Sequence, residues 1–410
     1  MQLTTPKGLR LHIAIFGRTN VGKSSLLNCL TQQDVAIVSD QPGTTTDPVE
    51  KPMELLPIGP VLFIDTAGLD DISTIGKLRI DKTIKVFDRA DVVILVTEAN
   101  KWTEYEEFVL NKAKEKNTPI LVVLNKIDII SPDKKIKNYL NEKSIPFVEV
   151  SSLNRGWTTT NLVRTKLLEI IPSDFINQQS IIPNGVVSEG DFVILVIPLD
   201  KEAPKGRIIL PQQQTLRELL DKNINVVVTN EKNLKKTIET LKKKPKLVIT
   251  DSQAFEEVLV SVPEEIMLTT FSILFANNKA GIENLVEATY LIDKLQDNDK
   301  VLIAEACTHH PIGDDIGRHK IPRWIRERTK KNIIFDIYSG KDFPEELKEY
   351  KLIIHCGGCM LNRKEMLSRV YKAKSQNLPI TNYGLVIAFL KNGLERSLQI
   401  FQCGFRKKYN

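Results

Sequence analysis

Gly17 to Ser24 reads GRTNVGKS, between the apolar run LHIAIF (11–16) and the helical run SSLLNCL (24–30), and this stretch decides the fold of the first part of the chain. It fits G-x-x-x-x-G-K-[ST] in the strand–loop–helix setting that gives the pattern its meaning. Gly17 and Gly22 let backbone N–H groups approach phosphate oxygens, and the helix N-terminus adds positive dipole character. Lys23 is expected to reach the β- and γ-phosphates and the Ser24 hydroxyl to ligate magnesium, with Val21 and Ser25 completing the cradle.

Three further stretches complete a nucleotide site. DTAG (65–68) ends an apolar run; Asp65 would hold magnesium through water and the Gly68 amide would face the γ-phosphate. NKID (125–128) ends ILVVLNK, and the Asp128 carboxylate can accept from guanine N1–H and the exocyclic amine, which adenine does not offer. Asn125 and Lys126 belong to the same base-reading turn. SSL (151–153) suits a loop against the base through Ser151 and Ser152. Between the first two stretches lies PGTTTDP (42–48), where Thr45 would bind magnesium and sense the γ-phosphate.

Order and spacing resemble the small GTPases of the Era/TrmE-like group across the whole first segment. Leu69 follows DTAG where Ras-like proteins place the glutamine that orients water, so slow intrinsic hydrolysis is expected. Asn20 lies where potassium-activated members of that group carry an asparagine. An oxygen ligand there would seat K+ against the phosphates, where a cation stabilises charge developing in the transition state. Hydrolysis is therefore expected to run faster in KCl than in NaCl, and equal rates in the two salts would remove Asn20 from that role.

The remaining chain continues the theme. All three segments alternate β-rich runs with helical runs, which points to parallel α/β sheets: a P-loop GTPase domain followed by two smaller parallel α/β domains. The expected division is 1–172 for the GTPase, 173–188 (SDFINQQSIIPNGVVS) as a linker, 189–275 for the second domain and 276–410 for the third. Of 410 residues, 42% are hydrophobic and 26% charged, ordinary for a globular protein, and the net charge of +6 is too small to argue for nucleic acid without clustering. No apolar run reaches membrane-spanning length and the start lacks a signal-peptide layout, so a cytoplasmic protein is expected.

The cysteines are unevenly spread. Cys29 stands alone, while Cys307, Cys356, Cys359 and Cys403 lie towards the end, with His309, His310, His319 and His355. CTH (307–309) and HCGGC (355–359), separated by 45 residues between the two histidines, each follow an apolar run. If the two runs are parallel strands, both halves fall at C-terminal strand ends, where open α/β sheets place ligands. A helical run after CGGC would set the thiolates near a helix N-terminus. A C-x-x-C dithiol would leave CTH unused. Zinc of Cys3His type and an iron–sulfur cluster with a non-cysteine fourth ligand both fit. Cys29, Cys403 and His12 read as structural. The basic stretch Gly317 to Lys331 reads as a solvated helix face, with docking of an anionic partner as the competing reading.

A GTPase followed by two more segments, ending in C-x-H and then H-C-x-x-C, resembles the HydF family, GTPases that help mature iron–iron hydrogenases; HHPIGDDIGRHKIPRWI (309–325) resembles it too. The resemblance implies a middle dimerisation domain and a C-terminal domain whose Cys307, Cys356 and Cys359 hold a 4Fe–4S cluster. It also implies a scaffold that receives a diiron precursor built with two radical-SAM maturases and delivers it to apo-hydrogenase, as a homodimer or larger, without a membrane or nucleic acid. Glu305, two residues before Cys307 and on the same side of an extended strand, competes with His309 and His355 as fourth ligand. The alternative is a GTPase of RNA modification or ribosome assembly with a structural zinc.

Overall fold

β1 (Leu11–Phe16) is buried at all six positions. Leu11, Ile13 and Ile15 enter one core while Ala14 and Phe16 enter another, so the strand is covered on both faces, as the interior of a parallel sheet must be. The computed structural model describes residues 7–31, 49–55, 58–66, 84–153, 157–172, 180–198, 208–306, 315–340 and 343–401. The chain divides into two compact units, Met1–Gln178 and Gln179–Asn410.

In the first unit β1 lies among β2 (Val49–Leu55), β3 (Gly59–Asp65), β4 (Val92–Glu98), β5 (Ile120–Asn125) and β6 (Phe147–Glu149), in the order β2-β3-β1-β4-β5-β6. Every pairing is parallel except that of β2 with β3. Helices α1 (Lys23–Thr31), α2 (Glu104–Glu115), α3 (Lys134–Glu142) and α4 (Trp157–Ile170) connect or flank these strands. β2 was not foreseen: VEKPMEL is mostly polar, and its proline is tolerated because the strand is an edge. His12 and Cys29 are fully buried. The His12 ring meets the carbonyls of Arg89 and Lys7, and burial pushes its pKa down to about 4, so it is a neutral structural imidazole.

The second unit holds two four-stranded sheets. β7 (Phe192–Val196), β8 (Asn225–Thr229), β9 (Leu247–Thr250) and β10 (Met267–Thr270) run β10-β9-β7-β8. β11 (Lys300–Glu305), β12 (Ile334–Ser339), β13 (Tyr350–His355) and β14 (Ile380–Asn382) run β12-β11-β13-β14. All pairings in both sheets are parallel. Three helices matter below: α5 (Phe271–Ala280), α6 (Ile321–Thr329) and α7 (Arg363–Ser375). One apolar cluster joins Ile194, Val248 and Leu268 of the first sheet to Val301, Leu302, Ile353 and Ile354 of the second.

Two expectations differ from this arrangement. Residues 180–188, read as the second half of a linker, are built into the unit: Ile181, Ile182 and Val186 pack with Val193 and Leu195, and Glu218 accepts from the amides of Ile181 (2.6 Å) and Ile182 (3.2 Å). The boundary placed between 275 and 276 falls inside α5. Three arginines of the basic stretch have partners within the unit. Arg318 pairs with Glu305, Arg328 with Asp293, and Arg326 donates to the Ile333 carbonyl.

Candidate functional site

The phosphate loop joins β1 to α1, and its shape depends on backbone that only certain residues adopt. Gly17 and Gly22 have φ of +154° and +97°, and Asn20 has φ of +62°. A Cβ on Gly17 would stand 2.3 Å from the Val96 carbonyl oxygen, and one on Gly22 would stand 2.3 Å from Asn125 Nδ2. Both glycines are therefore required by close packing as well as by backbone conformation. The Lys23 ammonium is 7% exposed and donates to the carbonyls of Gly17 (2.5 Å) and Arg18 (2.9 Å), so it is held inside the loop it serves. Ser24 and Ser25 follow at the start of α1, half-buried, and Val21 is buried beneath them.

Asn125 ties three of the expected stretches together. Its Nδ2 donates to the Val21 carbonyl at 2.8 Å, and its Oδ1 accepts from the amide (2.9 Å) and hydroxyl (2.8 Å) of Ser152. The phosphate loop, the NKID turn and the SSL loop thus share one buried amide. Lys126 takes φ of +64° and pairs with Glu98 at 2.6 Å, whose carboxyl it holds below the usual range. Asp128 is exposed on that turn, and Ser151 is buried next to Ser152. Asp65 ends β3, beside β1, and is 6% exposed. Thr45, Gly68 and Leu69 lie outside the described residues. The sequence reading missed Arg18, which reaches from the loop to buried Glu106 of α2 (2.7 Å), itself bound to Thr103 in a capping box. Its signal was weak, because any residue fits that loop position.

In the second unit β11 and β13 are adjacent parallel strands, with Ala304 opposite His355. The residues that precede Cys307 and those that begin HCGGC therefore share one sheet edge. Cys307 and His309 lie outside the described residues. Ala306, the residue before Cys307, donates its amide to Cys356 Sγ at 3.1 Å, and the Gly358 amide donates to the same sulfur at 3.4 Å. Gly358 makes this turn with φ of +60°. Cys356 and Cys359 are half-buried and form no disulfide among the described residues. The amides that serve the Cys356 sulfur come from a strand end and from the turn. The following helix α7 begins later, at Arg363, with Asn362 as its cap. Cys359 precedes that cap by three residues.

The candidate fourth ligands differ sharply. His355 is fully buried, with Nδ1 2.7 Å from the Cys356 carbonyl and Nε2 3.1 Å from Arg369 Nη1. Burial, with Arg369 beside it, lowers its pKa to about 3, so it is neutral and both nitrogens are engaged within the fold. As arranged here neither nitrogen of His355, one of the three candidate fourth ligands, is without a hydrogen-bonding partner. Glu305 is 3% exposed; its Oε2 accepts from Arg318 (2.9 Å) and Ser339 (2.8 Å), while Oε1 has no hydrogen bond among the described residues. Among the described residues no group of three or more His, Cys, Asp or Glu stands ready to hold a metal ion.

Comparisons with known proteins divide along the same lines. Residues 283–400 match the model described as hydrogen maturase F tetramerization domain, and 182–280 match hydrogen maturase F dimerization domain. Residues 12–126 match 50S ribosome-binding GTPase. Among curated proteins the chain is similar to tRNA modification GTPase MnmE of Prochlorococcus marinus, 43% identical over 137 residues, 32% of this chain and 29% of that protein. It is also similar to GTPase Der of Wolinella succinogenes, 32% identical over 185 residues, 41% of this chain and 39% of that one. The chain thus spans well under half the length of these relatives. Among solved structures, Era in complex with MgGDPNP and a piece of 16S ribosomal RNA covers 53% of this chain and 92% of its own, at 24% identity and a TM-score of 0.34. The G domain of the T. maritima FeoB iron transporter covers 39% of this chain and 98% of its own, at 25% identity and a TM-score of 0.30. The first unit is a P-loop GTPase domain. Among the described residues no helix is long and apolar enough to cross a membrane.

Proposed function

The chain belongs to the hydrogen maturase F family, and from that premise we propose that it is a GTP-hydrolysing iron–sulfur scaffold and carrier. In this reading it supplies the diiron subcluster precursor to apo iron–iron hydrogenase, after two radical-SAM maturases have built it. Its dimerization and tetramerization domains make it an oligomer-forming chain.

One observation carries the cluster reading: the Ala306 amide lies on Cys356 Sγ at 3.1 Å, so the chain leading into Cys307 meets the CGGC turn. The local chemistry fits a thiolate-bound group. Amide donors to sulfur stabilise the thiolate, and hydrogen bonds to cluster sulfurs are one of the protein's means of tuning such a site. Cys307, Cys356 and Cys359 would hold a 4Fe–4S cluster, which when bound supplies an iron whose fourth position exchanges ligands. Of the fourth-ligand candidates within the described residues, Glu305 is favoured over His355, because Oε1 keeps its acceptor capacity; His309 lies outside them. The diiron precursor is cargo and needs no permanent ligand set.

At the nucleotide site, Lys23 would exchange the carbonyls of Gly17 and Arg18 for β- and γ-phosphate oxygens. Ser24, Thr45 and Asp65 would serve magnesium, Asn20 a potassium ion, and Asp128 the guanine edge. Nucleotide state is proposed to regulate partner binding and not to drive cluster chemistry. The test of the carrier role is transfer. Protein co-produced with both maturases is expected to activate apo-hydrogenase on anaerobic mixing, and Cys356→Ser protein to leave it inactive. Activation by that variant at the unmodified level would sink the carrier role.

A further inference from the structure

The CGGC turn rests on a buried cation that sequence reading passed over. Lys279 is next to last in α5, in the largely apolar run FSILFANNKA. It is 7% exposed, and its ammonium donates to the carbonyls of Gly358 (2.5 Å) and Leu361 (2.9 Å). These two carbonyls bracket Cys359. Among the described residues no carboxylate forms an ion pair with it, and the face of Phe275 lies 6.0 Å away. A buried ammonium bound only to neutral carbonyls carries its charge without a paired counter-ion, which is costly, and burial lowers the Lys279 pKa to about 8.

Attraction to Cys359, then Cys356 and Glu365, works against that lowering. The other buried cation here, Arg369, donates to Gly340 at 2.8 Å and has Glu365 at 3.8 Å. Arg369 also feels Cys356, whereas Lys279 holds the carbonyls on both sides of Cys359.

We propose that Lys279 is a positioning residue of the cluster site: its side chain fixes the Gly358–Leu361 turn, and its charge sets the reduction potential of the group held by the cysteines. This rests on the reading that the turn holds an iron–sulfur cluster. Net charge around a cluster is a main determinant of its potential. A fixed positive charge in a low-dielectric site favours the reduced, more negative state, so removing it lowers the potential.

Two substitutions separate the roles. Lys279→Gln keeps an N–H donor for the carbonyls but loses the charge; Lys279→Met loses both. Full-length proteins would be reconstituted anaerobically with iron and sulfide, assayed for both, and titrated with dithionite under EPR. K279Q is expected to hold unmodified amounts of iron. Its reduction equilibrium should shift at least about tenfold towards the oxidised form, about 59 mV for one electron. K279M is expected to retain less than half the iron. Should K279Q also lose iron, Lys279→Arg decides: iron and potential kept by K279R support the charge role, and iron lost alike overturns it. Full iron and an unmoved potential in both K279Q and K279M overturn the proposal while leaving the cluster reading intact. Absence of iron and sulfide from the unmodified protein overturns both.

Discussion

Lys23→Ala is expected to lower kcat/KM for GTP hydrolysis by roughly 100- to 1,000-fold, the usual cost of removing one preorganised donor from developing transition-state charge. The structure explains why no neighbour substitutes. Lys23 is enclosed by its own loop, on the carbonyls of Gly17 and Arg18, so its charge is already in place and little side-chain freedom remains to be lost when phosphate replaces them. Arg18, the other cation of the loop, is committed to Glu106 at 2.7 Å. Alanine removes charge and donor without touching the apolar cores on either side of β1, so the thermal unfolding midpoint should move little. Steady-state phosphate release at several GTP concentrations, beside a thermal melt, checks both halves. Hydrolysis within threefold of the unmodified rate would show that Lys23 is not the phosphate ligand.

The GTPase unit was legible because its signals are local. β1, β4 and β5 are almost uninterrupted apolar runs, and the GRTNVGKS and NKID stretches sit at the ends of β1 and β5. What escaped notice depends on partners far along the chain. Nothing in Asn125 itself announces a hydrogen bond to Val21, 104 residues away. Nothing in the sequence marks Lys279, and only the fold brings Gly358, 79 residues on, to its ammonium. His355 is a candidate ligand in sequence because it adjoins CGGC; Arg369, from the next helix, meets its second nitrogen.

Strands were missed for a different reason. β12 (IFDIYS) is an edge strand with no fully buried position, so it lacks the continuous apolar run that marked β11 and β13. β14 and β10 are three and four residues long, too short for any period to register. The supposed linker failed because the apolar pairs in SIIPNGVVS (180–188) were outweighed by its Pro, Gly and Asn. Those pairs in fact fill one face of the sheet β10-β9-β7-β8.

The second large effect concerns the cysteines. Among the described residues the Cys356 sulfur receives two amide donors, and Cys359 is bracketed by the carbonyls that Lys279 holds. Cys29, by contrast, is fully buried in the GTPase unit, where it contacts Thr160 at 3.7 Å. The proposed cluster therefore predicts a sharp division. Replacing Cys307, Cys356 or Cys359 by alanine removes one of three thiolate anchors, and no other described cysteine is placed to substitute. Each is expected to cost most of the bound iron. Cys29→Ala should cost none and serves as the control for thiol content.

The most direct test is iron and acid-labile sulfide in anaerobically reconstituted protein. About four of each per chain are expected in the unmodified and Cys29→Ala proteins, as a 4Fe–4S cluster requires. Less than a quarter of that is expected in each of the Cys307→Ala, Cys356→Ala and Cys359→Ala proteins. Full iron in any of those three, or stoichiometric zinc without sulfide in the unmodified protein, would contradict the assignment of this turn as the anchor of an iron–sulfur cluster.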